Sequence, residues 1–239
     1  MNFENFETPF DAVVIGASGG IGAAVAEHLE AHPQVGSVLA LSRSSPACRI
    51  DLTDQVSIAK AAAQAAQLPN LRLVFVATGL LHDGDELQPE KALRALDPAA
   101  MARNFAVNAT GPALVLKHFA PLLPRQGKSV FAAISARVGS ISDNRFGGSY
   151  SYRASKAALN MLLKTAAIEL GRTRKDLDVL GLHPGTVDTG LSAPFQSGVA
   201  PETLFTPDQS AGLLLSVIDR LEPSQSGSLI AWDGTAIPY

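Results

Sequence analysis

Ala12-Val13-Val14-Ile15 is a β-branched run that breaks directly into Gly16-Ala17-Ser18-Gly19-Gly20-Ile21-Gly22 and continues from Ala23 to Ala31 in a helical pattern. The order is strand, glycine turn, helix. The same alternation continues. Val38 to Leu41 reads as a strand, Cys48-Arg49-Ile50 is strand-like, and Ile58 to Gln67 is an alanine-rich helix. Leu71 to Ala77 is a strand, Ala99 to Leu123 one long helix, and Ser129 to Ile134 a strand. Tyr150 to Leu170 is a helix and Leu177 to Leu182 a strand, and after a proline- and glycine-rich section come a helix over Pro207 to Leu221 and a strand over Ser228 to Trp232. Strands alternating with helices require crossover connections and hence a parallel sheet. The expected fold is α/β, a Rossmann-type doubly wound sheet of about seven parallel strands with helices on both faces. The 239 residues form one domain, with no linker, repeat or low-complexity segment between elements.

Composition narrows the functions. The chain is 46% hydrophobic, with a formal net charge of -3 and no block of Lys or Arg, so nucleic acid and anionic membrane are not expected partners. No apolar run is long enough to span a bilayer. The acidic start, Met1 to Glu7, lacks the order of a secretory signal, and the single Cys48 excludes an intrachain disulfide, so the expected compartment is the cytoplasm. The five histidines are scattered without metal-ligand spacing, and no metal site is expected.

The glycine turn is a candidate phosphate loop. Its glycines permit a tight turn and close backbone approach to a pyrophosphate, and the helix that follows supplies N–H groups and a partial positive charge. Gly16, Ser18, Gly20, Ile21 and Gly22 are the candidate contacts, although such a loop can also be only a turn. Its Gly-xxx-Gly-x-Gly spacing differs from the common dinucleotide fingerprint. After the second strand stand Ser42 and Arg43, where an acid would favour the free ribose of NAD; an arginine suits a ribose phosphate, so NADP is expected over NAD. Asp51 and Leu52 are placed to flank the adenine, with capping of the next helix as the alternative for Asp51.

Tyr152 and Lys156 are four residues apart in a helical stretch and therefore project from one face. An ammonium beside a phenol favours the phenolate and is expected to lower its pKa from ~10 towards the range useful for general acid/base work. Asn108 lies four residues before Pro112, which has no N–H, so the Asn108 carbonyl loses its helical partner and a proline kink is expected.

With Gly16, Gly20 and Gly22, then Tyr152 and Lys156, then Pro184-Gly185-Thr186-Val187-Asp188-Thr189, the chain resembles the short-chain dehydrogenase/reductase family from about Phe10 to its end. The stretches around Gly139 to Lys156 and Trp232 to Pro238 are similar to its Sniffer-type carbonyl reductase and C-factor-like subgroup. The resemblance implies that Tyr152 protonates a small carbonyl substrate, or deprotonates an alcohol, while hydride moves to or from nicotinamide. It implies that Lys156 holds the nicotinamide ribose and that Asn108 ties a water into a proton relay. Thr189 and the backbone near Val187 would hold the carboxamide, in a cofactor-binding segment that begins at Pro184 and Gly185; Ala77, Thr78 and Gly79 stand where the family has an Asn-containing cofactor wall. It also implies a homodimer or homotetramer, in keeping with helices that are apolar round most of their circumference.

In one place the pattern fails. The family's catalytic serine falls at Ala136 in Ile134-Ser135-Ala136-Arg137-Val138-Gly139. Ser135, one residue early, is the candidate replacement, with Ser140 and Ser142 behind it. That loss also admits a second function, a nucleotide-binding regulator or signalling protein with little catalysis on the same scaffold.

Overall fold

The computed structural model describes residues 3–239. Its main sheet contains β1 (Phe10–Ile15), β2 (Val35–Leu41), β3 (Leu71–Val76), β4 (Ser129–Ile134), β5 (Leu177–His183), β8 (Leu229–Ala231) and β9 (Ala236–Ile237), in the order β2-β1-β3-β4-β5-β8-β9. All neighbours are parallel except the last pair. Every residue of β1 and β3 is buried, and apart from Asp11 and Arg72 near their starts both strands are apolar, as a sheet covered on both faces demands. One face is packed by α2 (Gln55–Ala65), α4 (Gly111–Phe119) and α5 (Tyr150–Leu170), the other by α1 (Gly20–Glu30) and α6 (Pro207–Arg220). A second small sheet pairs β6 (Thr186–Val187) with β7 (Leu204–Phe205).

The structure corrects the reading at three points. Cys48-Arg49-Ile50 is not a strand: the chain folds back after β2, Ser42 N–H donating to the Cys48 carbonyl at 3.2 Å and Ile50 N–H to the Ser42 carbonyl at 3.0 Å. One bridge, Ser42 to Arg49, is all that remains of it. The last strand of the sheet is instead β9, a short antiparallel return beyond Asp233-Gly234. The long helix is also divided, into α3 (Pro98–Phe105), a π-helical turn over Ala106–Thr110 and α4. Gly111 N–H reaches back five residues to the Ala106 carbonyl, so the helix widens into a π-bulge centred on Asn108, where a proline kink was expected.

Two glycines show why the first turn needs its sequence. Gly16 has φ 89°, and a Cβ there would lie 2.7 Å from the Ala77 carbonyl oxygen. A Cβ on Gly22 would collide with the Gly16 carbonyl, so α1 can press against the turn only as glycine. Gly22→Ala is expected to destabilise by about 1–3 kcal/mol, as overpacking does, and to lower the urea midpoint at unchanged m. An unchanged midpoint would show that the turn yields freely.

Candidate active site

The sheet order reverses between β1 and β3, and beyond the carboxyl ends of these strands lies a cleft of about 570 Å³. Of the expected nucleotide residues, Gly16, Ser18, Ser42, Arg43, Asp51, Leu52, Ala77, Thr78 and Gly79 line it. Gly20, Ile21 and Gly22 stand behind the wall in the first turn of α1. Pro184, Gly185, Val187 and Thr189 come from the segment after β5 and do not line the cleft; of these, Thr189 packs against the start of α1, where a Cβ on Gly20 would be 2.9 Å from its Cγ2. Gly185, at φ 80°, lies against the Phe205 ring, and Ser210 Oγ donates to the Pro184 carbonyl at 3.0 Å.

Several groups in this wall fit a dinucleotide. The α1 N-terminus has no side-chain cap and no acid in its first turn, leaving its N–H groups and positive end to serve an anion. Thr78 Oγ1 is buried without a hydrogen-bond partner among the described residues, a polar atom set in the wall and left to a ligand. Arg43 is exposed at the rim and forms no salt bridge among the described residues. Asp51 does not cap α2, because Asp54 does, accepting from Val56 N–H at 2.8 Å. Asp51 instead closes its own turn, accepting from Thr53 Oγ1 at 2.7 Å and Thr53 N–H at 3.0 Å, and these bonds hold its carboxyl below the usual range, aided by Arg43 and Arg49.

Tyr152 and Lys156 sit on α5. Lys156 is 1% exposed, its Nζ donates to the Ile134 carbonyl at 2.8 Å, and it lies 5.8 Å from the Tyr152 ring centroid. Asn108 is fully buried in the π-bulge. Its Nδ2 donates to the Leu80 carbonyl at 2.8 Å and to Ser155 Oγ at 3.0 Å, and its Oδ1 accepts from Leu80 N–H at 2.7 Å. It therefore fixes the chain just beyond the Ala77 to Gly79 wall against the Tyr152 helix. The expected shift of the phenol is reversed: burial pushes Tyr152 up to about 12 and Lys156 down to about 7. Desolvation disfavours the charged form of each group, and a lysine so lowered is neutral where the phenol ionises and gives it no cation. Tyr152 is thus a protonated donor at pH 7, and its hydroxyl makes no hydrogen bond to the described residues.

The Ser135 hydroxyl is already engaged. Ser135 is buried and its Oγ donates to Asn160 Oδ1 at 2.7 Å, one helical turn below Lys156. β4 ends at Ile134, and the bond to Asn160 commits the Ser135 hydroxyl to α5. Ser140 is committed too, donating to the Pro238 carbonyl and accepting from Asp143 N–H at 3.1 Å. Ser135→Ala is expected to cost about 1–3 kcal/mol of stability by leaving Asn160 short of a partner, with kcat changed by less than about threefold. A hundredfold loss of kcat would restore Ser135 to the chemistry.

A short chain dehydrogenase family model matches residues 11–200. The chain belongs to that family. This dehydrogenase is 40% identical over 148 residues to C-signal of Myxococcus xanthus, covering 62% of this chain and 84% of that one. It is 34% identical over 191 residues to 1-hydroxy-2-glutathionyl-2-methyl-3-butene dehydrogenase of Rhodococcus sp. (strain AD45), covering 80% and 78%. Its fold matches the NADPH-bound carbonyl reductase from chicken fatty liver with TM-score 0.82 at 24% identity, over 100% of this chain and 97% of that one. Carbonyl reductase Sniffer of D. melanogaster matches with TM-score 0.79 at 22% identity, over 98% and 100%.

The dehydrogenase also carries site residues that sequence reasoning passed over. Leu80, His82, Arg103 and Val107 line the cleft. His82 Nε2 lies 3.0 Å from the Gly190 carbonyl and its ring meets Phe195 edge-on at 5.8 Å, joining the loop after β3 to the segment after β6. Arg103 pairs with Asp83 and, at 3.7 Å, with Glu86, which ties the acidic loop after β3 to α3. Among the described residues no helix is long and apolar enough to cross a membrane, and no cluster of metal-ligating side chains occurs.

Proposed function

We propose that this dehydrogenase is an NADP-dependent oxidoreductase that reduces a small aldehyde or ketone, or in reverse oxidises the alcohol, with Tyr152 as general acid/base. The observation that carries the reading is the placement of Tyr152 and Lys156: a phenol one helical turn from a buried lysine, whose Nζ lies 5.8 Å from the phenol ring centroid and 3.7 Å from where a Cβ on Gly79 would stand at the cleft wall. Gly16, Ser18 and the α1 N-terminus would hold the pyrophosphate, Arg43 the ribose phosphate, Thr78 and Gly79 the nicotinamide side, and Thr189 with the Val187 backbone the carboxamide. The cofactor, when bound, supplies the hydride. Tyr152 delivers the proton to the carbonyl oxygen. Lys156 stabilises the phenolate left behind, and the proton that Tyr152 gives up is returned from solvent; Asn108 fixes the neighbouring loop and helix.

The NADPH bound to the chicken carbonyl reductase supports the choice of cofactor, and Arg43 supports it from this chain's own chemistry. Exposed Met161 and Ile168 on α5 support burial against a second copy, as dimer or tetramer, and the single cysteine suits the cytoplasm. The rival reading, a nucleotide-binding regulator, is favoured by the committed hydroxyls of Ser135 and Ser140 around Ala136. Losing one such donor costs roughly 2.7–4 kcal/mol, a slowing rather than an extinction. Calorimetric titration with NADPH and NADH tests the cofactor assignment: NADPH is expected to bind the more tightly, and equal or absent binding of both would overturn it.

A further inference from the structure

Three successive residues before α5 lie in the left-handed region: Gly147 at φ 64°, Gly148 at φ 68° and Ser149 at φ 47°. Ser149 is the single residue other than glycine with positive φ among the described residues, so the entry to the catalytic helix is held in a conformation that a side chain resists. Ser149 gives α5 no side-chain cap, and the first turn of α5 contains no acid. A distant residue supplies both. Glu90, in the loop between β3 and α3, is 7% exposed; its Oε2 accepts from Ser151 N–H at 3.1 Å, its Oε1 accepts from the Ser151 hydroxyl, and its backbone carbonyl accepts from Ser149 N–H at 2.7 Å. Glu90 takes part in no salt bridge among the described residues. A buried carboxylate without a cation is costly unless its oxygens are satisfied, and here the positive end of a 21-residue helix and two Ser151 donors satisfy it.

The same loop grips α5 a second time. Asn108 binds both backbone groups of Leu80, and its Nδ2 reaches Ser155 Oγ, which in turn donates to the Tyr152 carbonyl at 2.8 Å. Tyr152 is therefore flanked by two ties to one loop, Glu90–Ser151 and Asn108–Ser155. Arg153 holds the left-handed segment from the other side, Nε donating to the Gly148 carbonyl at 3.0 Å.

We propose that Glu90 is a positioning residue for Tyr152: its carboxylate fixes the left-handed entry and first turn of α5, and through them the place of the proton donor relative to the cleft. The inference rests on Tyr152 as general acid/base. A misplacement of about 1 Å at a reacting group costs on the order of 10²-fold in rate, whereas the nucleotide wall near Arg43 lies outside the Glu90 contacts. Glu90→Gln keeps the volume but removes the charge and turns an amide group towards Ser151.

The test measures kcat, the calorimetric Kd for NADPH, and amide hydrogen exchange of Ser151 to Arg153 in the wild-type protein, Glu90→Gln, Ser151→Ala and the double variant. The expected result is a fall in kcat of about 10- to 100-fold for Glu90→Gln, with Kd within about twofold, faster exchange confined to the first turn of α5, and a double variant no slower than Glu90→Gln. A folded Glu90→Gln with kcat within about twofold of wild type overturns the proposal, as does a parallel loss of kcat and cofactor affinity that follows only the fraction folded. If Glu90→Gln does not fold, Ser151→Ala, which retains the N–H bond, decides: a several-fold loss of kcat at unchanged Kd supports the role and unchanged kcat overturns it. Absence of turnover in the wild-type protein removes the Tyr152 reading itself, while wild-type turnover with an unimpaired Glu90→Gln removes only the role of Glu90.

Discussion

Tyr152→Phe is expected to lower kcat by about 10²–10⁴-fold, the range of a positioned general acid, while the Kd for NADPH changes by no more than about threefold. The substitution deletes one hydroxyl that makes no hydrogen bond to the described residues, so neither the packing of α5 nor the glycine turn at Gly16 has a reason to move. Thermal stability should stay within a degree or two of wild type on the same argument, since loss of an unbonded hydroxyl falls among substitutions worth about ±0.5 kcal/mol. Steady-state kinetics beside calorimetry separates the two effects. Turnover that survives intact would remove Tyr152 from the chemistry, and equal loss of turnover and binding would make it a structural residue.

Arg43→Ala is expected to weaken NADPH by about 10- to 100-fold and NADH by less than about twofold, because hydrogen bonds to a charged group contribute roughly 1.5–3 kcal/mol. Arg43 stands at the rim after β2 in the place where an acid would otherwise receive the ribose, and Asp51, the nearby carboxylate, is turned to Thr53. Since the guanidinium is exposed, the gap between the cofactors should narrow as salt rises. An unchanged preference would show that the phosphate is read elsewhere.

Much of this architecture is legible from local pattern. The run from Ala12 into the glycine turn, the apolar Leu71 to Val76 and the helix Tyr150 to Leu170 each carry their own period, and each appears where that period puts it. The misreadings arise where a distant partner decides. Cys48 to Ile50 has strand composition, but its backbone groups return to Ser42 and leave no partner for a ladder. Asn108 and Pro112 signal a disturbed helix, yet whether the ladder kinks or widens depends on Gly111 reaching Ala106. Ser135 was the nearest hydroxyl in sequence and is turned by Asn160, a residue on another element. The phenol shift was misjudged in sign because spacing shows the neighbouring ammonium and not the desolvation that both groups share. Glu90 has no local signal, since its partners Ser149 and Ser151 lie about sixty residues further along.

The central claim is that this member of the short chain dehydrogenase family still performs carbonyl reduction although Ala136 stands where a hydroxyl is usual. The most direct test is the rate at which the wild-type protein consumes NADPH in the presence of a panel of aldehydes, ketones and quinones. The account predicts NADPH oxidation dependent on at least one panel member, and its loss in Tyr152→Phe. Tight NADPH binding with no oxidation across the panel would contradict it and leave a nucleotide-binding regulator as the better description.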